Sequence, residues 1–233
     1  MTRMMKMLMF TTAMAAVPAR AAMNEDFAEL APLRSGEWLV VKSDKRHDIF
    51  TYYKRDEGRR YRSFKAEARY DSSFDASACH LLDADNFKKW FMNAVESRLL
   101  KRISDTEFFM YVRFNAPLGV PDRDVVLHVV ISPFNAKSGW LGVTFSDAPD
   151  YIPAIPGVVR IPAWEVVTRL MPLEDGRSFE RTEGYVEPGG APVPAWLVNY
   201  LQRQAPYNNT LGRARDMSRY ESGVKPCSFR YRD

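Results

Sequence analysis

The alternation of apolar and polar positions divides the chain into a strand-rich body and a helical C-terminal end. Short stretches with a period of two, bounded by turn residues, predict β-strands. Between the third and fourth of them, two segments have the apolar spacing of short helices, and Ser72 or Ser73 is a suitable N-cap for the first. A further short helix is predicted at 24–33. The predicted strands are 38–42, 49–54, 60–70, 97–103, 107–114, 123–132, 140–145, 158–171 and 178–187, and the helical pair is 73–83 and 86–92.

Residues 194–220 predict one long amphipathic helix. Pro194 suits the first helical turn, large apolar side chains then recur at near-helical spacing, and arginines such as Arg213 occupy the remaining surface. Pro206 should kink this helix or begin a second one. The helix has two interpretations: it packs on the sheet as part of the core, or it closes one mouth of a curved sheet with a cavity inside.

This order of elements predicts one α+β domain. About nine mostly antiparallel strands form a sheet that must curl, and the C-terminal helix fills its concave side. Where the helix does not fill that side completely, an apolar cavity remains that can hold a ligand. We assign 1–21 to a signal peptide, 22–220 to the domain and 221–233 to a C-terminal tail.

The N-terminal segment has the pattern of a secretory signal peptide. Arg3 and Lys6 precede an apolar stretch at 7–17 that is too short to span a bilayer, and Ala19 and Ala21 are the small residues of a cleavage site. The alternative is a methionine-rich N-terminus on a cytosolic protein. Cleavage after Ala21 would reduce the formal net charge from +4 to +1, and no run of basic residues predicts a nucleic-acid partner.

The two cysteines, Cys79 and Cys227, form either one disulfide or two separate thiols. In an oxidising compartment a bridge would close a loop of about 150 residues, which the chain-entropy model values at about 4–5 kcal/mol. It would tether the tail to the helical pair. No spacing of cysteine and histidine predicts a metal site, and we expect no cofactor.

Four short motifs resemble, in order and spacing, those of the START (StAR-related lipid-transfer) family. Trp90 also lies where that family usually has a tryptophan, at the end of the helical pair. The resemblance covers roughly residues 36–217, and the chain is identified as a member on this basis. It implies a helix-grip fold, in which a nine-stranded curved antiparallel sheet wraps around the C-terminal helix. The motifs are PDRDVV at 121–126, VVR at 158–160 followed by MP at 171–172, EPGG at 187–190 and PAWLVN at 194–199.

The resemblance implies a lipid carrier and not an enzyme. A single sterol, phospholipid or fatty-acyl lipid would occupy an internal tunnel and be carried between membranes, without catalysis. We expect a monomer in a bacterial periplasm that touches membrane surfaces transiently. One alternative is a helix-grip enzyme of the cyclase or hydrolase type, which needs a paired acid and base in the tunnel, with His128 and Tyr111 as candidates. Another is a ligand-sensing module that acts through a partner.

The ligand contacts that the resemblance implies lie on the strands and on the C-terminal helix. Applied to the alternation along the strand at 123–132, the family's parity implies that Leu127 and Val129 point inward and His128 outward. Core packing is the alternative for the aromatic residues of the helix. The implied contacts are Tyr111, Arg113, Leu127, Val129, Arg160, Trp196, Tyr200 and Tyr207.

Some relatives carry an acidic and a basic residue that face the tunnel on adjacent strands. Their places fall near Tyr111 or Arg113 and near Val129, and the acid is absent from this chain. An inward Arg113 would favour an anionic head group, whereas an outward one would be solvated. Arg160 would meet a head group or pair with a carboxylate of a neighbouring strand. The family also implies a gate loop at 115–122, and its apolar residues here are Pro117, Leu118 and Val120.

Overall fold

The structure is a computed structural model, and it describes residues 36–116, 119–189, 195–221 and 227–233. Of residues 195–197 and 199–201 it describes the backbone alone. The predicted signal peptide and the predicted helix at 24–33 lie outside the described residues. None of the described helices is both long and apolar enough to cross a bilayer.

Ten β-strands form one sheet whose neighbours are antiparallel in the order β1-β2-β3-β10-β9-β7-β6-β5-β4. The short β8 lies off this path and pairs in parallel with β6. It exists because the predicted strand at 158–171 is interrupted at Pro162, which has no N–H for the ladder. The strands are β1 (Leu39–Asp44), β2 (Ile49–Lys54), β3 (Ser63–Tyr70), β4 (Ala94–Ser104), β5 (Glu107–Phe114), β6 (Arg123–Ser132), β7 (Leu141–Asp147), β8 (Val159–Arg160), β9 (Ala163–Pro172) and β10 (Ser178–Glu187).

Two short helices follow β3, as the sequence predicts. Ser73 caps the first, because its hydroxyl oxygen accepts a hydrogen bond from the backbone N–H of Ala76 at 3.2 Å. The second is a 3₁₀ helix, and it lies slightly earlier than predicted. The described helices are α1 (Phe74–Leu81), the 3₁₀ helix (Ala84–Lys89), α2 (Ala195–Asp216) and α3 (Ser218–Glu221).

The long helix α2 runs through Pro206 without ending there. Of the two alternatives predicted for this proline, the beginning of a second helix is therefore ruled out, and the break falls at Met217 instead. Pro206 and the next residue, Tyr207, are both buried, so packing against the sheet holds the helix together where one backbone hydrogen bond is missing.

One face of the sheet carries the hydrophobic core. Alternation along β6 places Leu127 and Val129 in this core and His128 on the opposite face, as predicted. Residues of α1 and the segment after it cover the strands from β5 to β9 on this side. A smaller cluster lies under the C-terminal half of α2, where Tyr207 and Met217 pack on residues of β2 and β3. The nine-stranded antiparallel path, the helical pair and the long terminal helix confirm the predicted helix-grip fold.

Residues 227–233 pack against the domain. Cys227 is bonded to Cys79 of α1, with their Cα atoms 4.8 Å apart. Two residues further on, Phe229 is buried and stacks on Phe108 of β5 with a centroid distance of 4.2 Å. The disulfide therefore holds in place a segment that completes one end of the core.

Candidate functional site

A pocket of about 260 Å³ lies between the concave face of the sheet and α2. This volume approaches the lower end of the roughly 300–1,000 Å³ found for small-molecule sites. Most of its walls are apolar and many are aromatic, because the strands expose alternate large side chains to it. Representative lining residues are Phe64, Phe91, Phe114, Leu127, Trp164 and Val198.

The pocket also has a polar region, formed by β9, β10 and α2. Glu180 of β10 and Arg213 of α2 line it and are 4% and 2% exposed. Their side chains form an ion pair, with Arg213 Nη2 2.8 Å from Glu180 Oε2. Thr182 donates a hydrogen bond to Glu180 Oε1 at 3.3 Å, and its hydroxyl lies 2.9 Å from that of Thr168. Tyr70 donates a second bond to Oε1 at 3.3 Å.

Burial, and to a smaller extent the nearby Glu180 carboxylate, raises the pKa of Tyr70 well above its usual value. The phenol therefore stays protonated and remains a donor to Glu180. A carboxylate and a guanidinium thus face each other inside an otherwise apolar pocket, with neutral hydroxyl groups around the carboxylate.

Arg213 is held from the outside by α1. Its Nη2 donates to the backbone oxygen of Ser77 at 3.2 Å, and its Nη1 lies 3.2 Å from Nδ1 of His80. Because a guanidinium cannot accept a hydrogen bond, His80 Nδ1 is the acceptor, and its Nε2–H donates to Asp216 at 3.3 Å. These contacts fix the guanidinium over the polar region.

Neither member of this ion pair is among the contacts that the sequence predicts. The sequence analysis places Arg213 on the polar surface of the helix, and the structure corrects this, because the arginine is buried between α1 and β10. One available signal is the four-residue spacing between Arg213 and Met217, which puts the two on one face of the helix. The identity of the partner carboxylate depends on strand pairing, which the local pattern does not reveal.

The predicted ligand contacts are only partly brought together. Leu127 lines the pocket, and Val129 is fully buried in the core on the same side of β6. Tyr207 lies in the small cluster beneath α2 and is not among the described lining residues. The side chains of Trp196 and Tyr200 lie outside the described residues.

Three predicted contacts lie on the opposite face of the sheet, away from the pocket. Tyr111 and Arg113 alternate with the core residues of β5, and Arg160 extends beside β6. Arg160 forms a two-point ion pair with Asp124 at 2.8 and 3.1 Å. Arg113 donates twice to a single carboxylate oxygen of Asp122, from Nη2 at 2.7 Å and from Nε at 3.0 Å. This placement corrects the assignment of Arg113 and Arg160 as ligand contacts and agrees with the alternatives, since Arg113 points outward and Arg160 pairs with a carboxylate of a neighbouring strand.

Tyr111 is fully buried on that outer face, and burial raises its pKa to about 12. Its phenol is therefore neutral at physiological pH. Its position away from the pocket corrects its assignment as a ligand contact.

The predicted gate loop borders the pocket at its first residues. Asn115 and Ala116 line the pocket, whereas Pro117 and Leu118 lie outside the described residues and Val120 is half-buried. Asp122 joins the end of the loop to its start, because it accepts hydrogen bonds from Arg113 and from the backbone N–H of Ala116 at 3.2 Å. The hydrogen bond from Arg113, and to a smaller extent that from Ala116, lowers the pKa of Asp122. The carboxyl is therefore ionised at neutral pH and accepts both bonds.

The C-terminal half of α2 is fixed to the segment that follows the 3₁₀ helix. At Gly212 the helix approaches the backbone of Trp90 so closely that a Cβ would collide with the carbonyl oxygen. Asn209 accepts a hydrogen bond from the backbone N–H of Met92 at 2.8 Å. A glycine is thus required by the contact itself, and this half of α2 is held without freedom to slide.

A third contact joins α2 to the β1–β2 hairpin. The Tyr207 hydroxyl donates to Asp44 at 2.6 Å, and His47 Nδ1 lies 2.7 Å from the same carboxylate oxygen. The bond from Tyr207, and then that from His47, holds the pKa of Asp44 well below its usual value of 3.8. The ammonium of Lys42 lies over the Tyr207 ring at 3.2 Å from its centroid.

This contact should make part of the stability depend on pH. A carboxyl whose pKa is lower in the folded state stabilises the fold above its unfolded pKa and loses that contribution as pH falls through the folded value. We expect Asp44→Asn to unfold at a lower temperature than the parent protein at about pH 7, and the two melting temperatures to begin to converge below about pH 4 and to meet only as pH falls through the lowered folded pKa. Thermal unfolding across a pH series measures this. Tyr207→Phe should show the same convergence, and a difference that does not vary with pH would contradict the assignment.

Among the described residues, no group of three or more histidine, cysteine, aspartate or glutamate side chains is arranged to hold a metal ion. The described part of the pocket offers apolar walls, hydroxyl groups, side-chain amides, the arginines Arg62 and Arg123, and one buried ion pair.

Comparison with solved structures identifies the fold. A STAR-related lipid transfer protein fragment from Xanthomonas axonopodis matches with a TM-score of 0.70 and 29% identity, covering 78% of this chain and 98% of that one. Human STARD10 matches with a TM-score of 0.67 at 19% identity over 89% of this chain and 83% of that one. Human StAR-related lipid transfer protein 5 gives the same TM-score at 13% identity, over 86% and 95%.

Sequence comparison alone gives a weaker result. No family model matches the chain. An uncharacterized protein of Pseudomonas aeruginosa is 26% identical over 178 residues, which is 76% of this chain and 84% of that protein. The structural matches, together with the curved sheet and the helix across it, show that this chain has the START-domain fold.

Proposed function

We propose that the protein binds one lipid in the pocket beneath α2 and carries it between membranes without changing it chemically. The observation that carries this proposal is an apolar, largely aromatic pocket under the terminal helix of a START-domain fold. Each methylene that moves from water into such a pocket contributes about 0.8 kcal/mol, so an acyl chain or ring system supplies a large driving force. The names of the Xanthomonas protein and of human protein 5 refer to lipid transfer, which supports the same role here.

The arrangement of the histidines favours binding over catalysis. His128 lies on the outer face of the sheet, where its Nε2 is 2.7 Å from Glu107. His80 is committed to Arg213 and Asp216, and His47 to the exposed hairpin. None of the three is among the described lining residues of the pocket, so the paired acid and base of a helix-grip enzyme has no support there.

We place the action of the protein in the periplasm. The segment at 1–21 has the pattern of a cleaved signal peptide, and the disulfide between Cys79 and Cys227 suits an oxidising compartment. The loop at 115–122, which borders the pocket, would make the transient membrane contact. Cell fractionation followed by intact-mass measurement tests this, since the proposal requires a periplasmic monomer that begins at Ala22. A cytosolic protein that retains Met1 would contradict it.

Filling the pocket should weaken lipid binding. Ala205 of α2 lines the pocket, and Ala205→Trp would occupy the space of the ligand. Overpacking of this kind costs about 1–3 kcal/mol, so we expect affinity to fall about tenfold or more. Native mass spectrometry of protein incubated with vesicles that contain a sterol, phospholipids and fatty-acyl lipids measures the bound fraction.

The matched control for this experiment is Ala136→Trp. Ala136 is exposed in the turn after β6, so the same substitution there adds a tryptophan without touching the pocket. We expect it to bind lipid as the parent protein does. Equal binding by both variants, or no bound lipid in the parent protein from any source, would overturn the proposed function.

A further inference from the structure

Arg123 is a buried arginine that lines the pocket and forms no ion pair with any of the described residues. It shares the inward face of β6 with Leu127, and only 9% of its surface is exposed. Among the described residues its one hydrogen bond runs from Nη1 to the backbone oxygen of Pro121. Burial lowers the pKa of Arg123, and the nearby charge of Asp122 offsets this only in part. A guanidinium buried without a counter-charge is costly, so this arrangement calls for an explanation.

The carboxylates on either side of Arg123 in the described chain are bound to other arginines. Asp122 accepts two hydrogen bonds from Arg113, and Asp124 accepts one at each oxygen from Arg160. Three guanidiniums thus face two carboxylates at the start of β6. The charge that is left over is that of Arg123, which is directed into the pocket.

The unpaired guanidinium lies at the end of the pocket that borders the loop at 115–122. Arg123 is paired with Phe114 of β5 and with Val159 of β8, and Gly189, just after β10, lies against Pro162. This is therefore the end of the sheet at which β10 finishes. Glu180 lies near the start of β10, roughly 23 Å of strand before its last residue. Arg123 is thus well separated from the ion pair in the polar region.

The charges of the pocket lining point to an anion at this end. The described lining contains three arginines, Arg62, Arg123 and Arg213, and a single carboxylate, that of Glu180. Because Glu180 pairs with Arg213, the surplus positive charge belongs to Arg62 and Arg123. In a pocket of low dielectric constant an anionic group would be attracted to this surplus and a cationic one repelled. A neutral head group would leave it uncompensated.

We propose that the end of the pocket next to the loop at 115–122 binds the anionic head group of a single-chain lipid, with Arg123 as its counter-charge. The Nε and Nη2 groups of Arg123 have no acceptor among the described residues. The planar guanidinium presents such N–H groups at the spacing of two carboxylate or phosphate oxygens. A volume of about 260 Å³ favours one alkyl chain over two. The inference rests on the proposed lipid-binding function and names the class of lipid.

The surroundings of Arg123 suit the junction between a charged head group and an alkyl chain. Phe114, its partner across the ladder, and Leu127, further along β6, are apolar lining residues next to it. Asn115, which follows Phe114, is exposed and also lines the pocket. The head group would thus lie at the rim, while the chain would extend inward along the apolar wall.

Ligands with one ten-carbon chain test the proposal. Isothermal titration calorimetry of the full chain at about pH 7 gives a Kd for decanoate, decyl phosphate, 1-decanol and decyltrimethylammonium without any membrane. We expect both anions to bind about tenfold more tightly than the alcohol, as for hydrogen bonds to a charged group, and the cation to bind more weakly than the alcohol. Acetate and inorganic phosphate carry the same charged groups without a chain, and should not displace decanoate at equal concentration.

Two substitutions of Arg123 assign this preference to its guanidinium. Arg123→Met removes the charge and should bind decanoate no more tightly than 1-decanol, while its affinity for the alcohol stays that of the parent protein. Arg123→Lys keeps the charge without the planar pair of donors and should retain part of the preference. The matched control is Arg98→Met, which removes an exposed arginine of β4 that pairs with Glu96, and it should retain the whole preference.

The ligand series in the parent protein is decisive even if a variant fails to fold. Equal affinities for the two anions and the alcohol would overturn this inference and leave lipid binding intact. A preference for the anions that Arg123→Met does not reduce would also overturn it, as would displacement of decanoate by acetate or phosphate alone. Failure to bind any of the four ligands would overturn the inference together with the proposed function.

Discussion

Arg213→Met alone should lower the free energy of unfolding by about 3–5 kcal/mol, because it leaves the Glu180 carboxylate buried without its counter-charge. It also removes the donors to His80 and to the Ser77 carbonyl, so the contact between α1 and α2 weakens at the same point. Urea unfolding followed by circular dichroism measures the change.

The double replacement Glu180→Met with Arg213→Met is the control. When both charges are replaced by apolar side chains of similar volume, the cost of burying an unpaired charge disappears, and we expect most of the lost stability to return. A second control is Arg219→Met, since Arg219 is exposed and pairs with Asp216 at the helix surface, where ion pairs contribute about 0–1 kcal/mol. A single Arg213→Met variant as stable as the parent protein would show that this pair is not buried.

Reduction of the Cys79–Cys227 disulfide should have an effect of similar size. The two cysteines are 148 residues apart, and the chain-entropy model gives about 5 kcal/mol for a loop of that length. We expect the midpoint of guanidinium unfolding to fall sharply when dithiothreitol is added. The parent protein without dithiothreitol is the reference. The variant with both cysteines changed to serine should match the reduced form and should not respond to dithiothreitol.

The loss of stability on reduction should have a structural counterpart in the tail. Phe229 stacks on Phe108 only while residues 227–233 remain against the domain. Hydrogen exchange in β5 near Phe108 should therefore increase on reduction. Equal unfolding midpoints with and without the reductant would mean that the two thiols are not joined in the native protein.

Much of the fold follows from local patterns. Four predicted strands have the same bounds as β2, β5, β6 and β10, because in each case alternation is strong and turn residues flank it. Pro162 and Pro206 show where local reasoning is insufficient. The first divides a predicted strand in two, since its missing N–H removes a ladder bond, whereas the second is tolerated within α2, since neighbouring side chains are buried.

The residues that line the pocket were harder to predict from the sequence. Leu127 could be placed in the pocket because alternation along β6 decides which face it occupies. The same alternation leaves β5 ambiguous, since Tyr111 on the outer face is as large and as buried as Met110 on the inner one. Glu180 and Arg213 meet only through the pairing of β10 and the packing of α2. Their encounter is a property of tertiary structure and not of any local pattern.

The attachment of the C-terminal half of α2 bears on how the pocket could be opened. Its contacts with Asp44, Met92, the Trp90 carbonyl and Glu180 all come from the stretch between Tyr207 and Arg213. A helix that is held in this stretch would pivot about it. From Tyr207 back to Ala195 the helix measures roughly 18 Å, so a rotation of about 15° would move its first turn by about 5 Å. A small rotation of α2 about this fixed stretch would thus give an alkyl chain room to leave.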